Sequence, residues 1–332
     1  MGRRRRAIAA LVVLACLAGL AAVARGGDRS RARMPAPAPA PAAPVAPDAA
    51  AHVVADDAGR RRVAARRARA ALHAELRALR RSRTVLGALR RAWLGGTIDR
   101  ATHRELRHVW STALRAQARL SGTRRAELGA VIAAAARLAR DRGLTDSRLE
   151  AVFLTLRRNR DYWTRQVVPV PGQRFVFGRD PVTFQYYAGQ GLQIQPLASF
   201  GHANALASSC LQPHPRFRCR PRALRRILDR MLALASERDG FLGWEYYFAF
   251  GGGAPPWISA MTQGTGAQAL ARGSRVLGDR RYAVAARRAL GAFEQPPPAG
   301  VAVAVGGGRR YAMYSFDPGM RILNGELQAV IG

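Results

Sequence analysis

Apolar residues recur at helical spacing through residues 56–160, which predicts an arginine-rich helical region built as a hairpin array or bundle. Within it, residues 98–120 form a predicted second helix, and Thr123 is a candidate cap for a third helix that ends at Gly143. Two apolar stripes are expected to pack inward. They consist of Leu72, Leu76, Leu79 and Leu86, and of Leu149, Val152, Phe153 and Leu156.

The pattern changes in residues 161–332, which we treat as a second folded domain. Residues 166–170 and 174–177 flank Pro171-Gly172 and are typical of a β-hairpin. Helices are then predicted near residues 192–209, 221–238, 257–277, 279–293 and 321–332. Helix pairs joined by aromatic or glycine-rich loops favour a mainly α fold, an incomplete (α/α) toroid or barrel with a short β-hairpin. In such a fold the loops at one end line a cleft.

The first 55 residues are not expected to belong to the globular part. Four arginines precede the uncharged 18-residue stretch of residues 7–24, so residues 1–24 are predicted to be a signal peptide or membrane anchor. Pro-Ala alternation in residues 25–55 is typical of a disordered linker. The chain is therefore expected to be exported, either extracellular or anchored in the membrane and facing outside.

The charge is extreme and comes entirely from arginine. The 54 basic residues include no lysine, and with 21 acidic residues they give a formal net charge of +33. Without lysine, a Walker A phosphate loop and Schiff-base catalysis are excluded. The arginines alternate with alanine and leucine rather than with stacking aromatic residues, which disfavours nucleic acid and favours a solvated basic surface or attraction to acidic polymers.

Two cysteines lie in the second half of the chain. Cys210 and Cys219 flank a loop with two prolines, and in an exported protein they are expected to form a structural disulfide. A metal site there would need more ligands than His214. His103 and His108 are five residues apart, which does not place them on one helix face, so no metal site is predicted.

Aromatic residues cluster with Gln and Asn at three places in the second half. Aromatic faces stack on the C–H groups of sugars while amides bond the hydroxyls, so these clusters indicate a carbohydrate site. Burial in the core of the toroid is the alternative for any one tyrosine. The clusters are residues 184–187 with 193–197, residues 244–248, and residues 311–314 with 323–325.

Two ordered blocks resemble the D-glucuronyl C5-epimerase C-terminal domain family. The first is residues 255–264, Pro-Pro-Trp-Ile-Ser-Ala-Met-Thr-Gln-Gly, and the second runs from Tyr314 through Asp317-Pro318 and Ile322-Leu323-Asn324-Gly325 to residues 329–332. Residues 185–204 are similar to the entry of the same domain in bacterial relatives. The resemblance covers about residues 160–332 and does not reach the helical region before them.

The resemblance implies an (α/α) barrel that inverts C5 of glucuronate residues in an acidic polysaccharide, without a cofactor. The C5 proton lies next to a carboxylate, so one group removes it while another returns a proton from the opposite ring face. Expected catalytic residues are Tyr314, Tyr246, Tyr247 and Glu245. Expected substrate-binding residues are Tyr186, Tyr187, Gln193, Trp257, Gln263 and Asn324.

Two departures from the family bear on activity. Met313 stands where the animal enzymes typically have glutamate, and the family continues past the position of Gly332, so the chain looks C-terminally truncated. A polysaccharide lyase, which expels the 4-linked sugar after the same proton abstraction, is one alternative. A non-catalytic protein that binds acidic polysaccharide is another, and a basic nucleic-acid binder is a third without a recognisable motif. The oligomeric state stays open.

Overall fold

The computed structural model describes residues 49–212 and 214–332. The predicted signal peptide or anchor of residues 1–24, and the predicted linker up to residue 48, lie outside these residues. The linker prediction is wrong for residues 49–55, which are helical, because the Pro-Ala alternation ends at Pro47 and alanine favours a helix. Contacts divide the chain into residues 1–60 and residues 61–332. The helices are α1 (Ala49–Arg81), α2 (Val85–Leu94), α3 (Arg100–Arg119), α4 (Gly122–Arg140), α5 (Leu149–Trp163), α6 (Pro196–Leu211), α7 (Pro221–Ala233), α8 (Ala260–Leu277), α9 (Arg280–Leu290) and α10 (Leu323–Ile331).

The strands are antiparallel and only three to five residues long, whereas the helices contain most of the described residues. The described part of the chain is therefore mainly α, as predicted. The strands are β1 (Arg174–Val176), β2 (Thr183–Tyr187), β3 (Gly191–Ile194), β4 (Ser236–Arg238), β5 (Phe241–Gly243), β6 (Ala302–Val305) and β7 (Gly308–Tyr311). They form one three-stranded sheet in the order β1-β2-β3 and two hairpins, β4-β5 and β6-β7. Among the described helices, none combines the length and apolarity needed to cross a membrane.

The helical region follows its apolar pattern in part. The predicted stripe of α5 is buried at all four positions, from Leu149 to Leu156. The other stripe is wrong at Leu72 and Leu86, whose exposed fractions are 37% and 45%. The core face of α2 repeats at i, i+3, i+4 and i+7 from Val85, so Leu86 falls one position off it. The third helix, α4, begins after Ser121, two residues earlier than the cap predicted at Thr123 would place it.

The predicted hairpin around Pro171-Gly172 is wrong. Strand β1 pairs instead with β2, with Phe175 opposite Phe184, and residues 166–170 form no strand. Pro169 interrupts that segment and has no N–H to donate to a ladder, whereas β2 offers a complete edge. The helix predicted over residues 192–209 also begins later, because β3 occupies its start and Pro196 is the first residue of α6.

Two helices hold the β2–β3 hairpin in place. The buried carboxylate of Glu127 on α4 accepts hydrogen bonds from the Tyr186 hydroxyl at 2.7 Å and from the Gly189 and Gly191 amides at 2.8 and 2.7 Å. On α5, the Asn159 side chain bonds both the N–H and the carbonyl of Leu192. Gly191 has φ of +74°, and a Cβ there would lie 2.6 Å from Asn159 Oδ1, so glycine is required.

A second group of helices is arranged around α8, which packs against α6, α7, α9 and α10. Gly264 permits the approach of α10, because a Cβ at this position would lie 2.8 Å from the carbonyl oxygen of Ala329. The helix predicted over residues 221–238 ends at Ala233, since residues 236–238 form β4. The helix predicted from residue 257 begins at Ala260, since Trp257 is in an extended bridge.

A single hydrophobic core joins the two parts of residues 61–332. Its buried side chains come from α2 to α5, from the three-stranded sheet and from α6 to α9. The helical region and the residues that follow it therefore share one core, and displacement of one part exposes apolar surface on the other.

A buried ion pair links the same two parts. Glu245 is fully buried, and its carboxylate accepts two hydrogen bonds from Arg148 at 2.6 and 2.7 Å and one from Arg238 at 2.5 Å. Burial opposes ionisation of Glu245, but the hydrogen bonds and charges of the two guanidinium groups outweigh it and hold the pKa of Glu245 below its ordinary value. Glu245 is therefore ionised and compensated.

Replacing Arg148 with alanine removes one of the two charges that compensate Glu245. We expect Arg148→Ala to lower the free energy of unfolding by about 3–5 kcal/mol, because an incompletely paired carboxylate stays buried. Arg137→Ala is the matched control, since its pair with Asp141 is exposed and contributes less than about 1 kcal/mol. Urea unfolding measures both, and equal effects of the two substitutions contradict the structural role of Arg148.

The same pair predicts how stability depends on pH. Folding lowers the pKa of Glu245 below its ordinary value of 4.5. The ionised carboxylate therefore stabilises the folded state above pH 4.5, and this stability is lost as the pH falls and Glu245 becomes protonated. Arg148→Ala is therefore expected to flatten this acid loss.

Candidate functional site

Aromatic side chains from three separate segments enclose a cavity of about 150 Å³, which we call the aromatic pocket. Strand β2 and the residue before α6 form one side, the segment between β5 and α8 forms a second, and the segment between β7 and α10 forms the third. The lining residues are Tyr187, Gln195, Leu197, Tyr246, Phe248, Phe250, Trp257, Ser259, Thr262, Met313 and Tyr314.

The back wall is fixed by backbone pairing. Tyr246 and Trp257 form an antiparallel bridge, with N–H to carbonyl distances of 2.8 and 3.2 Å. Their rings stack with centroids 4.1 Å apart and an interplanar angle of 9°. Ser315 donates its N–H to the carbonyl of Ile258, which places the neighbouring Tyr314 beside Trp257. The aromatic faces of this wall are therefore held in one orientation.

A chain of hydrogen bonds crosses the floor of the pocket. Gln195 Nε2 donates to the Tyr187 hydroxyl at 2.7 Å, and the Tyr246 hydroxyl donates to Gln195 Oε1 at 3.0 Å. Tyr246 also lies 2.8 Å from the hydroxyl of Thr262. A phenol has one proton to donate, so Thr262 donates to Tyr246. The chain therefore has one direction, from Thr262 to Tyr187.

Two phenols stand nearer to the opening than Tyr246 does. Tyr187 and Tyr314 both pack against Phe250, with ring centroids 6.2 and 5.5 Å from its ring. Both side chains are partly exposed, whereas Tyr246 is 5% exposed. A ligand in the pocket would therefore meet Tyr187 and Tyr314 at its edges and Tyr246 at its base.

Burial raises the pKa of all three phenols. It raises the pKa of Tyr187 to about 12, although the positive charge of Arg174 on β1 acts in the opposite direction. Burial also raises the pKa of Tyr314 and, more strongly, that of Tyr246. All three hydroxyls are protonated at neutral pH, and Tyr187 is the one beside a cation that favours its phenolate.

A wider groove adjoins the aromatic pocket. It measures about 340 Å³ and shares Tyr187, Phe248 and Phe250 with the pocket. Its other wall includes Pro171 and Gly172 from the loop before β1. The groove therefore lies beside the pocket and offers a surface along which an extended ligand could run.

Four of the predicted site residues meet in the aromatic pocket, namely Tyr187, Tyr246, Trp257 and Tyr314. Tyr186 lies on the other side of the sheet, buried against Glu127, because successive side chains of a strand point to opposite faces. Whether the four residues act on a substrate stays a prediction.

The other predicted site residues lie outside the pocket. Glu245 is held by its two arginines, and the Tyr247 hydroxyl donates to Glu245 at 3.0 Å, behind the pocket wall. Gln193 bonds the carbonyl of Gln190, and Gln263 bonds that of Trp244. Asn324 is exposed in the first turn of α10. These five side chains are placed to support structure or to face solvent rather than to touch a ligand in the pocket.

Several residues that line the pocket are not among the predicted site residues. Gln195 and Thr262 carry its polar chain, and Met313 and Ser259 lie at its wall, with the Ser259 hydroxyl 3.8 Å from the Met313 sulfur. Gln195 belonged to a recognised aromatic and amide cluster. Thr262 had no signal of its own, because only the fold brings α8 beneath Tyr246.

The lining residues define what the pocket offers chemically. They supply aromatic faces, phenol and alcohol hydroxyls and one amide, and the described residues that line it include no ionisable group besides the phenols. Among the residues that the structure describes, no group of three or more His, Cys, Asp or Glu side chains could hold a metal ion. The arrangement suits a ligand with apolar C–H faces and hydroxyl groups.

The described residues thus define a mainly helical protein with an aromatic pocket beside a groove. Residues 238–332 match the family model of the D-glucuronyl C5-epimerase C-terminus. The match confirms the predicted resemblance to this family, over fewer than a third of the 332 residues. It includes Tyr246, Trp257 and Tyr314, whereas Tyr187 and Gln195 precede it. Neither a curated protein nor a solved structure matches the chain.

Cys210 and Cys219 form a disulfide with Cα atoms 4.4 Å apart, as predicted. It closes the loop between α6 and α7 and shares no residue with the aromatic pocket. A disulfide is compatible with an extracellular protein.

The hydroxyl of Tyr246 is expected to be structural as well as part of the pocket. We expect Tyr246→Phe to lower the free energy of unfolding by about 1–3 kcal/mol, because Gln195 and Thr262 lose a buried partner. Tyr311→Phe is the control, since the Tyr311 hydroxyl makes no hydrogen bond within the described residues and its loss should change stability by less than about 0.5 kcal/mol. Thermal or urea unfolding measures the difference, and equal losses contradict the proposed chain.

Proposed function

We propose that this protein inverts C5 of glucuronate residues in an acidic polysaccharide, with the sugar bound in the aromatic pocket. The observation that carries the proposal is the meeting of Tyr187, Tyr246, Trp257 and Tyr314 in one cavity, three of them within the segment that matches the epimerase family. The adjoining groove supports a polymer rather than a free sugar, because the neighbouring units need a path out of the pocket.

Recognition of the sugar would combine stacking and hydrogen bonds. The face of Trp257 and the ring of Tyr314 offer apolar surfaces for C–H groups, and the partly exposed Tyr187 and Tyr314 offer hydroxyls. Arg174 is exposed on β1, close enough to act on Tyr187, and its guanidinium would pair with the sugar carboxylate at the pocket mouth. This pairing would also stabilise the negative charge that develops on the carboxylate.

The proton transfers are assigned to the two phenols at the pocket edge. The phenolate of Tyr187 takes the C5 proton, the C–H bond breaks, and its electron pair moves into the carboxylate. The Tyr314 hydroxyl then donates its proton to C5 on the opposite ring face, which forms the new C–H bond. Tyr187 ends as a phenol and Tyr314 as a phenolate, and exchange with water restores both. The hydroxyl of Tyr246 is already bonded to Gln195 and Thr262 and therefore positions the site.

A non-catalytic protein that binds acidic polysaccharide is the second candidate. The raised pKa values of all three phenols favour it, because a protonated phenol binds a sugar but does not abstract its proton. Met313, which lines the pocket, supplies no base either.

The proposal extends to the architecture and location of the protein. The helices around α8 would form part of an incomplete (α/α) toroid whose loops carry the pocket. Residues 1–24 would direct export or anchor the chain outside the cell, with the linker ending where α1 begins at Ala49, and the disulfide supports this location.

Proton exchange tests the proposed chemistry directly. In heavy water, we expect the full chain to incorporate deuterium at C5 of a glucuronate polymer, as detected by NMR. Tyr187→Phe and Tyr314→Phe are each expected to slow incorporation by about 100-fold or more, because each removes one acid–base group. Tyr311→Phe is the control and should exchange at the wild-type rate.

The outcomes separate the candidates. Polymer retention without deuterium incorporation overturns epimerisation and selects binding alone. An unsaturated, ultraviolet-absorbing chain end selects a lyase. A rate that persists in Tyr314→Phe removes Tyr314 from the mechanism.

The pH dependence identifies the base. Tyr187 must lose its proton to act, and its pKa is about 12, so the exchange rate should rise about tenfold per unit between about pH 7 and 9. Arg174→Gln removes a charge that lowers this pKa and is expected to slow exchange throughout that range. Arg165→Gln, at another exposed arginine, is the control. A rate that is independent of pH contradicts the assignment of Tyr187.

A further inference from the structure

Two cavities lie along α7, and neither shares a residue with the aromatic pocket. One measures about 980 Å³ and lies between α6 and the loop that the disulfide closes. The other measures about 650 Å³ and lies beside α7 and the loop before β2. Arg220, directly before α7, lines the first cavity, and Arg222, in the first turn of α7, lines the second. Both cavities therefore reach the start of α7, although they share no lining residue. We call them together the α7 groove.

Arginine dominates the lining of the α7 groove. The 13 residues of α7 extend over about 20 Å, so the groove is long enough for several units of a polymer. Its arginines are Arg179, Arg216, Arg218, Arg220, Arg222, Arg225, Arg226 and Arg230.

Most of these arginines are free to bind a ligand. Two of the eight already have acidic partners, since Arg225 pairs with Asp279 and Arg230 pairs with Glu150 and Asp180. The other six are exposed and make no ion pair in the described part of the chain. Within α7, Arg225 and Arg230 therefore stabilise the fold as well as line the groove, whereas Arg222 and Arg226 are left to bind a ligand.

The carboxylates in the groove do not neutralise it. Asp180 accepts hydrogen bonds from Arg158 and Arg230, and Asp229 accepts one from the Tyr282 hydroxyl at 2.7 Å and lies near Arg281. The groove therefore keeps a strong positive potential, which attracts an anionic polymer.

The disulfide makes the first cavity a preformed surface. It ties the two ends of the loop that carries Arg216 and Arg218, and within that loop His214 and Phe217 form a bridge with their rings 5.3 Å apart. Phe217 is 64% exposed, so an apolar ring stands among the arginines. Because the loop is closed before binding, a ligand loses less affinity to ordering it.

We propose that the α7 groove binds a stretch of acidic polysaccharide, its carboxylate or sulfate groups pairing with the unpartnered arginines. This inference rests on the proposed function, since the same polymer would be held away from the aromatic pocket while one of its sugars enters it. The planar guanidinium group of arginine binds carboxylates through two parallel hydrogen bonds. The single exposed ring of Phe217 can stack on one sugar face, whereas a nucleic-acid site would need several aromatic rings to stack successive bases. The groove would raise the affinity for long chains rather than select the reacting sugar.

The test compares two triple variants of the full chain. Arg218→Gln, Arg222→Gln and Arg226→Gln together remove three unpartnered arginines from both cavities. Arg66→Gln, Arg67→Gln and Arg69→Gln remove the same charge from the exposed surface of α1, where no cavity is found among those described. Binding of fluorescent hyaluronan, a glucuronate polymer, is measured by anisotropy at low and at physiological salt.

We expect the α7 variant to bind the polymer about tenfold more weakly, with a smaller dependence on salt. The α1 variant should bind as the wild type does. Equal weakening of both variants overturns the groove, because net charge alone would then explain binding, and so does an unchanged α7 variant. Tighter binding of double-stranded DNA than of hyaluronan overturns the assignment to polysaccharide.

The groove and the proposed function can fail separately. If the wild type exchanges no deuterium but the α7 variant still binds hyaluronan more weakly than the α1 variant, the groove is supported and epimerisation is not. If the wild type exchanges deuterium and the α7 variant binds as tightly as the wild type, the groove is overturned alone. Exchange on a short oligosaccharide should be unchanged in the α7 variant, because the aromatic pocket is intact.

Discussion

The buried carboxylate of Glu245 is the constraint on which the aromatic pocket depends. A charge without access to water must be compensated, so Arg148 and Arg238 are held at hydrogen-bonding distance from it. Arg148 precedes α5 and Arg238 ends β4, while Tyr246 is the next residue after the carboxylate. The ion pair therefore fixes the backbone that carries the pocket floor and ties it to the helical region.

The opposite side of the pocket depends on that region in the same way. Glu127 and Asn159 saturate the polar groups of the β2–β3 hairpin, which places Tyr187 at the pocket edge while Tyr186 faces the core. The helices of residues 56–160 lie outside the segment that matches the epimerase family, yet they hold two walls of the site. A pocket built only from residues 238–332 would lack Tyr187 and Gln195, and Glu245 would lack its partner Arg148.

Charge and aromatic surface are separated in this protein. The lining of the pocket is uncharged at neutral pH, because burial keeps its phenols protonated, and Arg174 stands outside it. The unpartnered arginines of the α7 groove lie elsewhere on the surface. An aromatic pocket suits discrimination of sugar faces and proton transfer, whereas exposed arginines suit attraction of a polyanion over a longer range. We therefore assign binding of the reacting sugar to the aromatic pocket and attraction of the polymer to the α7 groove.

Local pattern determined much of this fold. Helical periodicity located α5, the turn residues located most helix boundaries to within a few residues, and cysteine spacing predicted the disulfide. The resemblance gave Trp257 and Tyr314, and the aromatic cluster of residues 244–248 gave Tyr246. Tertiary structure alone decided that β1 pairs with β2, that Glu245 faces two arginines, and that Gln195 and Thr262 complete the pocket. These contacts join residues far apart in the chain, and burial of charge and hydrogen-bonding groups, which selects among them, exists only once the helices have packed.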